Sequence, residues 1–112
     1  MEWTILTNRL GADRRSPTFA DIESAIKDLH DNFDDKEHGS ICLRRGKDGG
    51  PLYTLELSAT GTMTYSHYAD SEFENIVSER MSFLIGIFEL HRRFEYLIRG
   101  EIDELALCQW ET

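Results

Sequence analysis

Hydrophobic and polar residues alternate in four short stretches of the chain and follow a helical period in two longer ones. The alternating stretches are residues 2–7, 41–44, 53–58 and 62–67, and a period of two predicts β-strands. Turn signals at Gly46–Gly50 and Thr60–Gly61 separate the last three stretches, so these three are predicted to form an antiparallel meander.

The first helical stretch follows Pro17, with Thr18 as the N-cap and Asp21 closing a shortened capping box. Its apolar stripe consists of Phe19, Ile22, Ala25, Ile26 and Leu29, and Phe33 continues it. The second helix is predicted over about Ser78 to Arg99, where the apolar stripe is broad enough for an element that lies across a sheet. Gly100 is a natural end for it.

These elements predict the order β-α-β-β-β-α-β in a single domain covering residues 1–112. The fold class is α+β, with two helices packed on one face of a mainly antiparallel sheet. The tail, Leu105–Trp110, alternates again, and it either forms a last strand or packs on the second helix.

The acidic net charge argues against two classes of partner, nucleic acids and anionic membranes. The chain has 12 basic and 21 acidic residues and a formal net charge of −9. Nucleic acids and anionic membranes bind clustered lysine and arginine, so neither is an expected partner. We see no apolar run long enough to span a bilayer and no signal peptide, and we therefore expect a soluble cytoplasmic protein.

Residues that carry chemistry do not form a recognisable motif. His30 and His38 flank several carboxylates, but their spacing fits neither a zinc nor a calcium pattern. Ser66 and His67 are adjacent in a strand and should point to opposite faces. Cys42 and Cys108 are expected to be buried free thiols, although a disulfide between them is still possible.

We predict a protein that is not an enzyme and has no metal or other cofactor. A small enzyme that uses His67 or His91 is a less supported hypothesis.

Two acidic clusters are the candidate partner-binding surfaces. The first consists of Asp31, Asp34, Asp35 and Glu37, and the second of Asp70, Glu72 and Glu74 with the aromatic residues Tyr65, Tyr68 and Phe73 nearby. Acidic residues beside aromatic ones suit a contact with a basic protein surface. A solvated face with no partner is the alternative for each cluster.

The C-terminal third supplies a resemblance to a family. The run from Phe83 through Phe94, then Ile98–Asp103, and finally Leu105–Glu111 with its Trp-Glu, resembles the tail of the Imm1-type immunity proteins of polymorphic toxin and contact-dependent inhibition systems. The amphipathic helix from Pro17 to Leu29, followed by a meander, is similar to their front end. The segment Asp70–Asn75 departs from the family pattern, which has a glycine-rich turn before the long helix.

The resemblance implies a small cytoplasmic antidote that binds a cognate secreted toxin domain, with a nuclease or a deaminase as the expected toxin. Inhibition would occur by covering a basic active site with an acidic surface. Trp110 is expected from its position in the tail, and not from the resemblance, to anchor the tail to the core. The expected oligomeric state is a monomer or a weak homodimer. The alternative function is a cytoplasmic adaptor or regulatory module with no toxin partner.

Overall fold

The computed structural model describes residues 2–32, 34, 39–83 and 85–111. Its strands are β1 (Glu2–Thr7), β2 (Asp13–Arg15), β3 (Ser40–Lys47), β4 (Leu52–Ser58), β5 (Met63–Tyr68) and β6 (Ile76–Ser82). Its helices are α1 (Phe19–Asp31), α2 (Ile87–Arg99) and α3 (Ile102–Ala106). The strands form one antiparallel sheet in the order β2-β1-β3-β4-β5-β6. The α+β prediction is therefore confirmed.

The predicted meander is present as β3, β4 and β5, and its register explains where the core lies. Leu43, Leu55 and Tyr65 stand opposite one another on neighbouring strands, as do Ile41, Leu57 and Met63. All six are buried. Because alternate residues of a strand share a face, these two rows define the face of the sheet against which the helices pack.

Helix α1 begins as the sequence predicts. The Thr18 side chain accepts a hydrogen bond from the Asp21 backbone N–H, and the Asp21 carboxylate accepts one from the Thr18 N–H. This capping box satisfies backbone donors that the first turn leaves without partners. The buried stripe of Ile22, Ala25, Ile26 and Leu29 packs on the sheet, while Phe33 lies outside the described residues.

The predicted helix over Ser78–Arg99 is wrong in its first part. Residues 76–82 form β6, and α2 starts only at Ile87, with Gly86 as its N-cap. The apolar spacing of Met81, Ile85 and Phe88 fits a helical period, which is why sequence reasoning chose a helix. Pairing along the whole length of β5 outweighs that local preference.

Two further elements depart from the predicted order. Residues 13–15, which lie in a polar stretch with no predicted element, form the short edge strand β2 against β1. Part of the tail, expected as a strand or as a packed segment, forms the helix α3, whose Leu105 is fully buried in the core. After α3 the chain returns across α2 toward β6.

The C-terminus of α2 is fixed to the sheet through Arg45. Gly100 ends the helix in the left-handed conformation, with φ of 78°. The Arg45 guanidinium donates to the Ile98 carbonyl oxygen at 2.9 Å and to Glu2 Oε2 at 2.7 Å. A Cβ at position 100 would lie 2.9 Å from this guanidinium. Glycine therefore serves both the turn and the close approach of a cation to the negative end of the helix.

Candidate functional site

The first acidic cluster is only partly described. Asp31 is the last residue of α1, and its carboxylate accepts a 2.7 Å hydrogen bond from Lys27. That bond holds the pKa of Asp31 below its ordinary value and offsets the charge that the cluster offers a partner. Asp34 is exposed. Asp35 and Glu37 lie outside the described residues.

In the second cluster, Asp70 builds the loop that precedes β6. Its Oδ1 accepts hydrogen bonds from the backbone N–H groups of Glu72 and Glu74, at 2.8 and 3.1 Å. Its Oδ2 accepts from the backbone and the side chain of Asn75, at 2.8 and 2.7 Å. These donors, above all the N–H of Glu74, lower the pKa of Asp70. The carboxylate is thus committed to the loop, and Glu72 and Glu74 are its exposed acids.

The two tyrosines assigned to this cluster have different environments. Tyr65 is only 4% exposed and stacks on Trp110, with ring centroids 5.5 Å apart. Burial raises its pKa to about 12, and its ring belongs to the core. It is therefore not accessible to a partner, contrary to the sequence prediction. Tyr68 is half-buried and meets Phe73 edge to face at 5.1 Å.

Apart from Phe73, sequence reasoning missed the exposed apolar residues beside these acids. Of the eight large hydrophobic side chains that are exposed in the described part of the chain, six fall between residues 73 and 88. They are Phe73, Ile76, Val77, Phe83, Ile87 and Phe88, and Phe88 is the most exposed at 87%. Assigning residues 78–99 to a helix across the sheet hid Phe83, Ile87 and Phe88, because apolar residues in such a helix are expected to be covered. Ile76 and Val77 precede that predicted helix and were assigned to no element.

We name the exposed residues within positions 72–83 and 85–88 the β6 surface, since they belong to β6 and to the connections on either side of it. The strand is the last in the sheet order, and among the described residues its outer edge is paired where the chain's own tail reaches it. There the Glu111 backbone N–H donates to the Met81 carbonyl oxygen at 2.8 Å. The Glu111 side chain accepts from the Phe83 N–H at 2.6 Å. The β6 surface thus combines exposed apolar groups, carboxylates and a strand edge.

Arg93 and Trp110 hold the tail in place. Arg93 is buried, and its guanidinium donates to Ser82 Oγ and to the Gln109 carbonyl oxygen, both at 2.9 Å. It lies over the ring of Trp110, 4.4 Å from the centroid. The Trp110 indole N–H donates to the Leu105 carbonyl oxygen at 3.2 Å. These contacts give Trp110 an anchoring position between the sheet and α2.

The other candidate groups are placed as follows. His67 stacks on Tyr53 at 4.5 Å on the helix-covered side, while Ser66 faces the opposite side of the sheet, next to Glu79. His91 contacts Phe19 and lines a groove of about 510 Å³ between α1 and α2. Burial raises the pKa of Cys42 to about 12, so this thiol is a poor nucleophile at neutral pH. Both cysteines are free thiols.

Within the described ranges, no three histidine, cysteine or carboxylate side chains come together as ligands for a metal ion. None of the helices in the same ranges has the length and apolar character needed to cross a membrane.

Comparison of the chain with protein-family models, with curated proteins and with solved structures finds no match.

Proposed function

We propose that this protein is an inhibitor that binds a cognate toxin domain, in the manner of the immunity proteins of polymorphic toxin systems. The observation that carries the proposal is the β6 surface, in which six exposed apolar side chains share one segment with Glu72, Glu74 and Glu79. Exposed apolar groups concentrated in one region are typical of surfaces that bind another protein. The resemblance of the C-terminal third supports the choice of a toxin as that protein.

The apolar residues supply the affinity in this proposal. Phe88 and Phe73, at 87% and 49% exposure, can transfer much of their ring surface from water into a partner's pocket. Burial of apolar area contributes about 25 cal/mol per Å², and aromatic side chains are common among the residues that dominate binding energy.

The carboxylates of the β6 surface give the proposed binding its specificity for a basic partner. Toxins that act on nucleic acids have basic substrate grooves, and a protein of net charge −9 would be attracted to such a groove at long range. Occlusion follows from the same contact, because a bound inhibitor over the groove excludes the nucleic acid. No chemical step by the inhibitor is required.

The proposal is tested by co-expression with the toxin candidate. The C-terminal domain encoded by the gene directly upstream is induced in a bacterial host with and without this protein. We expect growth arrest that co-expression relieves, together with a complex that copurifies. Leu10→Ser changes an exposed apolar residue outside the β6 surface and should rescue as well as the wild type. A harmless neighbour, or arrest that persists although soluble inhibitor is present, would favour an adaptor or regulatory module instead.

A further inference from the structure

We propose that the outer edge of β6 binds an extended basic segment of the partner by strand addition, with backbone hydrogen bonds centred on Glu79. This inference rests on the proposed function for the identity of the partner, and it adds the mode of binding. In strand addition the main chain supplies affinity, and alternate side chains supply specificity.

The directions of the backbone N–H and C=O groups along β6 show which of them can bond to an added strand. The Met81 carbonyl oxygen accepts from Glu111, on the side away from β5. In an antiparallel strand the N–H and C=O of one residue point the same way, and the direction reverses at each residue. Ser78, Arg80 and Ser82 therefore pair with β5, while Glu79 directs both of its backbone groups outward. In the described part of the chain no strand lies beyond β6 to receive them.

The tail shows that this edge accepts a backbone donor from another segment, since the Glu111 N–H bonds to the Met81 carbonyl oxygen. Residues 109–111 run past Met81, Ser82 and Phe83 and bond to all three. Along β6 from Met81, Glu79 is the next residue whose backbone groups point outward. An added strand would lie in line with the tail, on the side toward the loop of Asp70.

Beyond Glu79, toward the loop of Asp70, a bulge interrupts the regular hydrogen-bonding pattern of β6, and exposed apolar side chains are found there instead. The register passes from Ser78 opposite His67 to Ile76 opposite Tyr68, so Val77 is the extra residue of a bulge. Val77, Ile76 and Phe73 are each about half exposed there. A short added strand could bury these apolar groups while it pairs with Glu79.

The charges favour a basic partner over a second copy of this chain. Two copies of β6 paired antiparallel about Glu79 would place the two Glu79 carboxylates opposite each other, which is destabilising. The neighbouring registers need either the bulged Val77 or the Met81 carbonyl that Glu111 already occupies. A partner strand with lysine or arginine opposite Glu79 avoids both problems and is also attracted by Glu72 and Glu74.

The test compares Glu79→Pro with Glu79→Ala. Both variants lose the carboxylate, but proline alone removes the outward N–H, at an edge position where proline is tolerated. Short random peptides displayed on phage are selected on the wild-type protein, and the strongest binders are then measured on both variants. We expect peptides with alternating basic and apolar residues, and about tenfold weaker binding to Glu79→Pro than to Glu79→Ala. Circular dichroism and Tm establish that the proline variant is folded.

A third variant keeps the inference testable if proline unfolds the strand. Glu79→Lys retains the backbone donor and reverses the charge, so selection on it should yield acidic strands in place of basic ones. Strand addition is overturned if no peptide is enriched, if binders ignore proline in a folded variant, or if Glu79→Lys selects the same peptides as the wild type. Because the selection uses no toxin, it separates the two proposals. If peptides bind but the protein does not rescue cells from the toxin, only the proposal of a toxin partner is rejected. If the protein rescues cells but proline does not weaken peptide binding, only the proposal of strand addition is rejected.

Discussion

At the scale of single residues, Arg93 joins three parts of the chain. Its guanidinium is 4% exposed and bonds to β6 through Ser82, to the tail through Gln109 and to its own helix through Glu89 at 3.1 Å. Burial raises the pKa of Glu89, but the hydrogen bonds from Arg92 and Arg93 outweigh that effect and leave it below its ordinary value. The charge of Arg93 is thus compensated where it is buried.

Arg93→Ala is therefore expected to destabilise the fold by about 3 kcal/mol, since it leaves buried acceptors without donors. Arg92→Ala is the matched control, because Arg92 bonds to the same Glu89 oxygen at 2.9 Å but is largely exposed. Its expected cost is below about 1 kcal/mol. Urea unfolding of the two variants measures the difference. Equal losses would show that the buried bonds contribute no more than a surface ion pair.

Asp70 links stability to pH. Its folded pKa lies below its unfolded value because backbone N–H groups of its own loop donate to it. A carboxyl group whose pKa is lower in the folded state stabilises the fold at pH values above its unfolded pKa. This stability is lost as the pH falls through the folded pKa. We expect Tm to fall as pH drops below about 4, with Asp21 contributing in the same direction through the N–H of Thr18.

Asp70→Asn should lower Tm at neutral pH and make the acid-induced loss smaller, since one group no longer titrates. Glu72→Gln is the control because it leaves the bonds of Asp70 in place. Thermal unfolding between neutral and acidic pH measures both. An unchanged acid profile in Asp70→Asn would contradict the role assigned to that carboxylate.

At the scale of elements, the aromatic side chain of Trp110 helps to hold the tail to the sheet, beside the hydrogen bonds that Gln109 and Glu111 make. Trp110 stacks on Tyr65 and lies under Arg93. We expect Trp110→Ala to cost about 2 to 3 kcal/mol and to release the Glu111 bond to Met81, whereas Trp110→Phe should cost less because a ring remains.

Leu107→Ala is the control within the same tail, since Leu107 is 80% exposed and its loss should change stability by less than about 0.5 kcal/mol. Denaturant unfolding gives the stabilities, and amide hydrogen exchange at Glu111 reports release of the tail. Protection of that amide in Trp110→Ala would mean that the hydrogen bonds of Gln109 and Glu111 hold the tail without the indole ring.

The elements also show where local pattern is informative. The meander and α1 were predictable because turn signals and a capping box lie within each segment. The boundary at residues 78–99 was not, because β6 forms through partners on β5 that are distant along the chain. Candidate site residues share this limit: Glu72 and Glu74 were found as exposed acids, but the exposed apolar residues next to them depend on β6 being an edge strand.

At the scale of the whole molecule, the proposed complex predicts a difference between the two acidic clusters. Glu72→Lys with Glu74→Lys should slow association with the toxin domain by about tenfold at low salt and weaken its dependence on salt. The double variant Asp34→Lys with Asp35→Lys makes the same change of charge elsewhere and should have the smaller effect. Stopped-flow mixing over a range of salt concentrations measures both rates. A larger effect at Asp34 and Asp35 would move the interface to the end of α1.

Sequence alone determined the α+β class, the meander, the capped first helix and the acidic balance, because each depends on composition or on neighbours along the chain. Tertiary structure decided the rest. It buried Tyr65, turned Asp70 inward to its own loop and placed β6 at an edge with its apolar residues exposed. The physical reason is that burial and strand pairing depend on contacts between distant residues, which no local period encodes.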